Sequence, residues 1–311
     1  MAANVETMFS VREKPWHGMG TIVSDAPTSA DAIRLAGLDW EVEGKPVFTD
    51  SGMVIPNYKA NIRSSDNSVL GIVTDRYQIV QNKEAFEFTD SLISEGDVKY
   101  ETAGSLGGGK RIWMLAKMPD TKILGDDIEP YICFTNSHDG FGAIKVCMTP
   151  TRVVCQNTLN LALSTAKRCW STKHVGNMEE KLEEARHTLR LANSYMDSLK
   201  EEADRLAHTK MDNDEVAKIL SEMFPVTEDM TDRRKQNIEN AKEAFYTCYY
   251  MPDIAKFMGT QYGFINAMAD FTQHIAPARK SDSYKENNFA RIVVDGHPIF
   301  DNAYKAILAS A

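Results

Sequence analysis

Residues 104–111 read Gly-Ser-Leu-Gly-Gly-Gly-Lys-Arg. The first seven fit the phosphate-binding loop G-x-x-x-x-G-K, in which backbone N–H groups cradle phosphates and the lysine reaches the terminal one. The eighth position of that loop needs a Ser or Thr hydroxyl for magnesium, and here it is Arg111. The loop must also open a helix. The next stretch, 111–118, is rich in β-preferring and apolar residues and stops at Pro119. Residues 104–111 therefore read as a tight turn between two strands, with glycines that let the backbone reverse. Lys110 and Arg111 are left at a hairpin tip, where they can contact phosphate.

Other residue types capable of chemistry are scattered. His138-Asp139 offers an acid–base or metal pair, but adjacent residues do not converge on one atom, and Asp139-Gly140 explains them as a hairpin turn. Cys155 near Arg152 has the cation that would activate a thiol, against the plainer reading of a buried cysteine. His17 and His174 lack ligand-spaced partners. No H-E-x-x-H, G-x-S-x-G or paired-carboxylate signature occurs. The expectation is a protein without a catalytic constellation, cofactor or metal.

Basic, polar and aromatic residues mix more suggestively. Arg152, Gln156 and Asn157 lie close together, and Lys167, Arg168, Trp170, Lys173 and His174 come within the next twenty residues. Lys110, Arg111 and Lys145 sit on neighbouring hairpins. Cations neutralise phosphates and aromatic rings stack on unpaired bases, which is what a groove for single-stranded nucleic acid requires. Charge partition agrees: residues 103–178 hold 9 Lys/Arg against 5 Asp/Glu, while the flanks are acidic and the whole chain of 311 residues carries −9. A net acid chain does not coat nucleic acid with its whole surface, so any such site is local.

Five cysteines, an odd number with no C-x-x-C, suggest neither a disulfide framework nor a zinc ribbon and point to the reducing cytosol. No signal peptide is evident, and no apolar run approaches the length that spans a bilayer.

Periodicity gives the elements that must position these residues. Pro15, Gly18 and Gly20 make residues 14–21 a non-helical lead-in. Residues 27–37 form a short helix capped by Thr28 or Ser29 and stopped at Gly37. Alternation then predicts strands at 40–48, 58–63 and 69–80, a helix from Asn82 to about 94, and strands at 98–102, 111–118, 129–136 and 142–148. From Asn157 the spacing turns helical. Leu182, Ala185, Leu189, Ala192, Met196, Leu199, Ala203 and Leu206 recur at gaps of 3 and 4, predicting one heptad helix over 179–208 that packs on another helix or another subunit. Helices capped at Asp212 or Asn213 and at Thr231, a helix over 261–275 and a short one over 302–308 complete the chain. The fold class is α+β: an antiparallel sheet domain with packed helices over 1–175 and a mostly helical domain over 176–311.

Several stretches carry a resemblance. They are Pro15-Trp16-His17-Gly18-Met19-Gly20-Thr21, Ala36-Gly37-Leu38-Asp39-Trp40, Tyr77-Gln78-Ile79-Val80-Gln81-Asn82, Ala103-Gly104-Ser105-Leu106, Asn136-Ser137-His138-Asp139-Gly140, Arg152 through Leu159, and Gly259-Thr260-Gln261-Tyr262-Gly263. In these the chain resembles the phage/plasmid-like protein family built on domain of unknown function 932, departing at Tyr262, where a Trp is expected. The resemblance implies a mobile element, in particular a bacteriophage, acting in the bacterial cytoplasm. It supplies no catalytic residues. The order of helix, three strands, helix and further strands is similar to the core of phage strand-annealing proteins such as RecT. The leading expectation is ATP-independent binding of single-stranded DNA, with annealing during recombination or replication and homo-oligomers built on the heptad helix. Lys110, Arg111, Lys145, Arg152, Asn157, Lys167, Arg168 and Lys173 would hold the strand and Trp170 would stack. The alternative is a non-enzymatic interaction protein that counteracts a bacterial defence or host factor through its acidic flanks.

Overall fold

Alternating apolar and polar residues separated by turn chemistry produce strands that pair with their neighbours in sequence, and most of the first half does so. The computed structural model describes residues 5–11, 21–23, 28–93, 99–152, 157–158, 161, 163, 168–190, 192–275 and 296–309. In chain order the elements are β1 (Val5–Val11), β2 (Thr21–Val23), α1 (Ser29–Leu35), β3 (Val42–Phe48), β4 (Val54–Arg63), β5 (Val69–Thr74) and α2 (Asn82–Ile93). Then come β6 (Lys99–Leu106), β7 (Arg111–Lys117), β8 (Thr121–Ile123), β9 (Asp126–Ser137), β10 (Ile144–Arg152), β11 (Asn157–Thr158) and β12 (Cys169–Thr172). The helices α3 (Met178–Arg190), α4 (Ala192–His208), α5 (Asn213–Met223), α6 (Asp232–Tyr249), α7 (Gln261–Asp270) and α8 (Pro298–Ala309) come last. The class is α+β.

The strands form two sheets. The larger runs β11-β10-β9-β7-β6-β1-β2, with β12 also pairing β10 and β8 pairing β9; the smaller is β3-β4-β5. All pairings among the described residues are antiparallel except β1 with β2. The glycine-rich stretch settles as a hairpin tip. Gly107, Gly108 and Gly109 take φ of 63°, 71° and 82°, and Arg111 starts β7 opposite Leu106. A strand, not a helix, leaves the loop, so its N–H groups do not form a phosphate cradle.

One face of the large sheet is the core. Ile112 and Met114 of β7, Ile132 and Phe134 of β9, and Ile144, Val146 and Met148 of β10 are all buried there. Helix α2 covers them, with Phe88 and Phe134 at 5.7 Å between ring centroids. The same apolar cluster continues through α4, α6, α7 and α8, from Phe9 to Ile307. Local chemistry sets the helix ends: Thr28, Thr231 and Thr260 cap α1, α6 and α7, and Asp212 forms a reciprocal capping box with Glu215 at α5. Strand turns obey the same rules, as where Asp66 takes the Arg63 guanidinium and the Ser68 N–H between β4 and β5.

Three expectations change. One heptad helix over 179–208 is not shown: the described residues form α3 and α4 on either side of residue 191, which lies outside the described residues, and the longest described helix, α6, has 18 residues. The seam turns inward. Ala185, Leu199, Ala203 and Leu206 are fully buried in the chain's own core, and α4 packs on α7, β8 and β10. A gap pattern of 3 and 4 marks any helix with one buried stripe and does not require a coiled-coil partner. Second, residues 157–158 are a strand pairing Thr151 and Arg152 of β10, not the start of a helix; the backbone edge of β10 is completed there. Third, Cys147 and Cys169, directly opposite on β10 and β12, are joined by a disulfide, while Cys133 and Cys248 are free and buried. The lead-in over 14–20 lies outside the described residues.

The buried seam yields a stability prediction. Leu199→Ala removes a fully enclosed side chain and should cost about 2–5 kcal/mol in urea unfolding. The loss should be the same at every protein concentration. A seam shared between subunits would instead give a concentration-dependent midpoint.

Candidate functional site

The turn that connects β9 to β10 reads Ser137-His138-Asp139-Gly140-Phe141-Gly142, and its polarity suggests exposure. The structure buries its first half. Ser137 and His138 are at most 2% exposed and Asp139 is 9% exposed. Buried backbone groups need partners, and the turn finds them on three other segments. The His138 N–H donates to Lys110 O at 2.7 Å, Asn61 Nδ2 donates to His138 O at 2.8 Å, and the Tyr77 hydroxyl donates to Ser137 O. Asp139 Oδ1 accepts from the Ser137 hydroxyl and from Phe141 N at 2.8 Å. Gly71 of β5 makes the approach possible: a Cβ there would lie 2.6 Å from the Asp139 backbone. The small sheet is thus seated directly on the turn.

Two histidines sit in this network in defined tautomers. Asn82 Nδ2 donates to Leu38 O and Trp40 O, so its amide oxygen must be an acceptor. His138 Nε2, 3.0 Å from that oxygen, is therefore the protonated nitrogen, and Nδ1 keeps a lone pair with no partner among the described residues. Burial, reinforced by His174, pushes the His138 pKa down to about 3. His174 donates from Nδ1 to Gln78 O at 3.0 Å, leaving Nε2 bare and likewise without a partner among the described residues. Its ring stacks on Tyr77 at 4.5 Å, and burial lowers its pKa too, against the opposing pull of Asp139. Both imidazoles are neutral at physiological pH. Among the described residues, no three His, Cys, Asp or Glu side chains group to hold a metal.

Beside this network opens a cavity of about 450 Å³, walled by Tyr58, Tyr77, Phe141, Asp139, Lys173 and His174. Phe141 is 90% exposed and Tyr58 47%, so two aromatic rings stand at its mouth in contact with water.

The basic residues singled out from the sequence divide around this place. Lys110 is exposed on the β6–β7 tip, and its carbonyl holds the turn. Arg111 has Nε 3.9 Å from Asp139 Oδ2. Lys145 is half-buried and stands between Thr135 and Ser171 in the register, while Arg111 stands opposite Ser137, which puts both cations on one face at one end of the sheet. Lys173 lines the cavity itself. Arg168 does not join them: it is half-buried, donates to Met148 O at 3.0 Å and feels Asp301 of α8. Trp170 is only 8% exposed and packs in the main core, so it offers no ring for stacking; the alternation of β12 turns it inward beside Val146. Arg152 and Asn157 pair through their backbones across β10 and β11, and their side chains lie outside the description. Lys167 and Gln156 lie outside the described residues.

Sequence reasoning misses the aromatic side of the site, Tyr58, Tyr77 and Phe141, and takes His138-Asp139 for a surface turn. One signal is present: Gly71, Gly140 and Gly142 all mark points where chain presses on chain. Cβ atoms built there would meet Asp139, Val73 and Ser137 at 2.6, 2.8 and 2.5 Å.

The neutral histidines predict acid sensitivity. A histidine whose folded pKa is depressed binds its proton more readily when unfolded. Its contribution is therefore complete above the unfolded value near 6.5 and is lost as pH falls towards about 3. Between pH 7 and 5, above the carboxylate range, unfolding free energy should fall by about 2 kcal/mol for His138 alone. His138→Gln should be less stable at pH 7 but show a flatter slope over that window in urea melts.

No curated protein and no solved structure matches the chain. A family model does, and its span of residues 69–293 includes β5, Tyr77, the β9–β10 turn, Lys173 and His174. By that match over most of its length, the chain belongs to the family described as Domain of unknown function (DUF932).

Proposed function

We propose that this protein binds single-stranded nucleic acid across the end of the large sheet where the β6–β7 and β9–β10 turns meet. The observation that supports this most is Lys173 in the wall of a cavity that also carries the exposed rings of Phe141 and Tyr58, beside the turn where Arg111 approaches Asp139, with Lys110 on the adjoining tip and Lys145 on the same sheet face as Arg111. Phosphates carry one charge per nucleotide and are held by cations; bases freed from pairing stack on accessible rings, each worth about 1–3 kcal/mol. Phe141 and Tyr58 take the part that Trp170, buried, cannot play. The glycine-rich tip contributes Lys110 and Arg111 to the strand and no ATP chemistry. In the cytoplasm of a bacterium carrying a mobile element, the strand would be DNA exposed during recombination or replication, and annealing would result if two loaded copies meet.

One observation favours the second reading, an interaction protein. The outer face and one end of the small sheet expose Phe48, Val54, Tyr58, Val69 and Ile72, each more than 45% accessible. So many exposed apolar side chains on one small sheet favour protein contact. The two readings differ in salt response.

For strand binding, fluorescence anisotropy with a labelled oligothymidylate should give a log K against log salt slope of about −3 for four cations, at about 0.7 per cation. That is about a 50-fold loss between 50 and 200 mM salt. Lys173→Ala should make the slope shallower by about 0.7. Phe141→Ala should weaken binding about tenfold while leaving the slope alone. Absence of binding at 50 mM salt would overturn strand binding. Tight binding of a host protein that Ile72→Lys abolishes and salt leaves unchanged would establish the second reading.

A further inference from the structure

Three cysteines stand in a row on the large sheet. Cys147 of β10 is directly opposite Cys133 of β9 on one side and Cys169 of β12 on the other. Residues directly opposite on neighbouring strands share a face, and this one lies away from the main core. Cys133 and Cys147 pack with Cys169 and Leu115 as a cluster of their own, while their neighbours Ile132, Phe134, Val146 and Met148 belong to the main core. Cys147 is bonded to Cys169, and Cys133 keeps its thiol. A thiolate displaces a sulfur along the S–S axis, entering on the side away from the sulfur that leaves. Cys133 lies on that side of Cys147. Both are at most 1% exposed, so the enclosed Cys147 has a thiol at hand that does not come from solution.

We propose that Cys133, Cys147 and Cys169 form a thiol–disulfide exchange site, in which Cys147 bonds either Cys169 or Cys133 and the choice decides whether β12 is tied to the sheet. The step is internal. The Cys133 thiol gives its proton to solvent, and the thiolate bonds Cys147 Sγ. The Cys147–Cys169 bond breaks, and Cys169 leaves as a thiolate that takes up a proton. Nothing is oxidised or reduced overall. Burial pushes the Cys133 thiol up to about 12, against the pull of Arg168 and Lys145, so exchange is slow at neutral pH. The consequence is mechanical. β9 and β10 already pair from Lys145 to Arg152 and gain little from a bond between them. β12 has four residues and loses its covalent tie, and it leads directly into Lys173 and His174 of the cavity wall. In a reducing cytoplasm disulfides are mostly transient, catalytic or redox-sensing.

The test maps linkages in the full chain purified without reductant: free thiols are blocked with N-ethylmaleimide at mildly acidic pH, and digests are read by mass spectrometry. At neutral pH the Cys147–Cys169 peptide should dominate. After incubation at pH 9 a Cys133–Cys147 peptide should appear with Cys169 blocked, at a rate that rises about tenfold per pH unit with the Cys133 thiolate. Cys133→Ser should keep the original bond under the same conditions. Cys169→Ser treated with hydrogen peroxide, which takes one hydrogen from each thiol and yields water, should join Cys133 to Cys147. Cys133–Cys169 should stay absent, because two strand spacings of about 4.8 Å put the pair beyond the reach of a disulfide. Amide hydrogen exchange over residues 170–172 should become about tenfold faster in the exchanged form. Absence of the Cys133–Cys147 peptide from both the wild type at pH 9 and Cys169→Ser overturns the exchange site, as does a mixture containing Cys133–Cys169. Unchanged hydrogen exchange overturns the release of β12. These readouts need no nucleic acid, so the exchange site and strand binding stand or fall separately.

Discussion

The burial of the β9–β10 turn is the constraint on which the rest of this structure depends. A turn normally lies in water because its N–H and C=O groups are unpaired. Here the small sheet presses on it so closely that Gly71 has no room for a Cβ. The freed groups must then be satisfied from within, and Lys110 O, Asn61 and Tyr77 do so. Each partner comes from a different segment: the β6–β7 tip, the central strand of the small sheet, and the link from β5 to α2. Removing one leaves a buried polar group unpaired at a cost of about 1–3 kcal/mol, so the segments hold one another in place. The cavity is the space left where these pieces meet without closing.

The same packing fixes the electrostatics of the site. His138 and His174 are too enclosed to carry charge, and both rings are pinned as neutral tautomers by Asn82 and by Gln78 O. That leaves Asp139 as the acidic side chain of the cavity wall, with Arg111 Nε 3.9 Å away and Lys173 in the same wall. Had the imidazoles been protonated, each would carry a charge in this enclosed place; burial keeps them neutral.

The sequence is legible wherever local chemistry decides the outcome. The caps at Thr28, Asp212 and Thr231 lie where Ser, Thr and Asp precede helical periodicity, and the turn at Gly107-Gly108-Gly109 is legible because only a strand fits residues 111–118. It is opaque wherever the outcome depends on residues far apart. Trp170 reads as an available ring because its neighbours are basic, yet pairing with β10 turns it into the core. The seam through Leu199 and Leu206 has coiled-coil gaps, but the choice between a subunit and α7 as its partner is made by the whole fold. Asp139-Gly140 matches a surface hairpin in every local respect. Its burial is decided by Gly71, 68 positions away.

The helical half also bears on the site, through one covalent path and one field. β12 runs through Lys173 and His174 into α3, and Lys181 in the first turns of α3 donates to the carbonyls of Lys173 and Val175. Lys173 and His174 of the cavity wall are thereby anchored by the start of a helix whose own packing reaches α2 and β12. That helix then presents Glu179, Glu180, Glu183 and Glu184 to solvent. Carboxylates so placed repel a polyanion approaching over the helices within a Debye length of about 8–10 Å. The acidic balance of the whole chain, −9, is thus unevenly spread, with residues 103–178 holding more bases than acids.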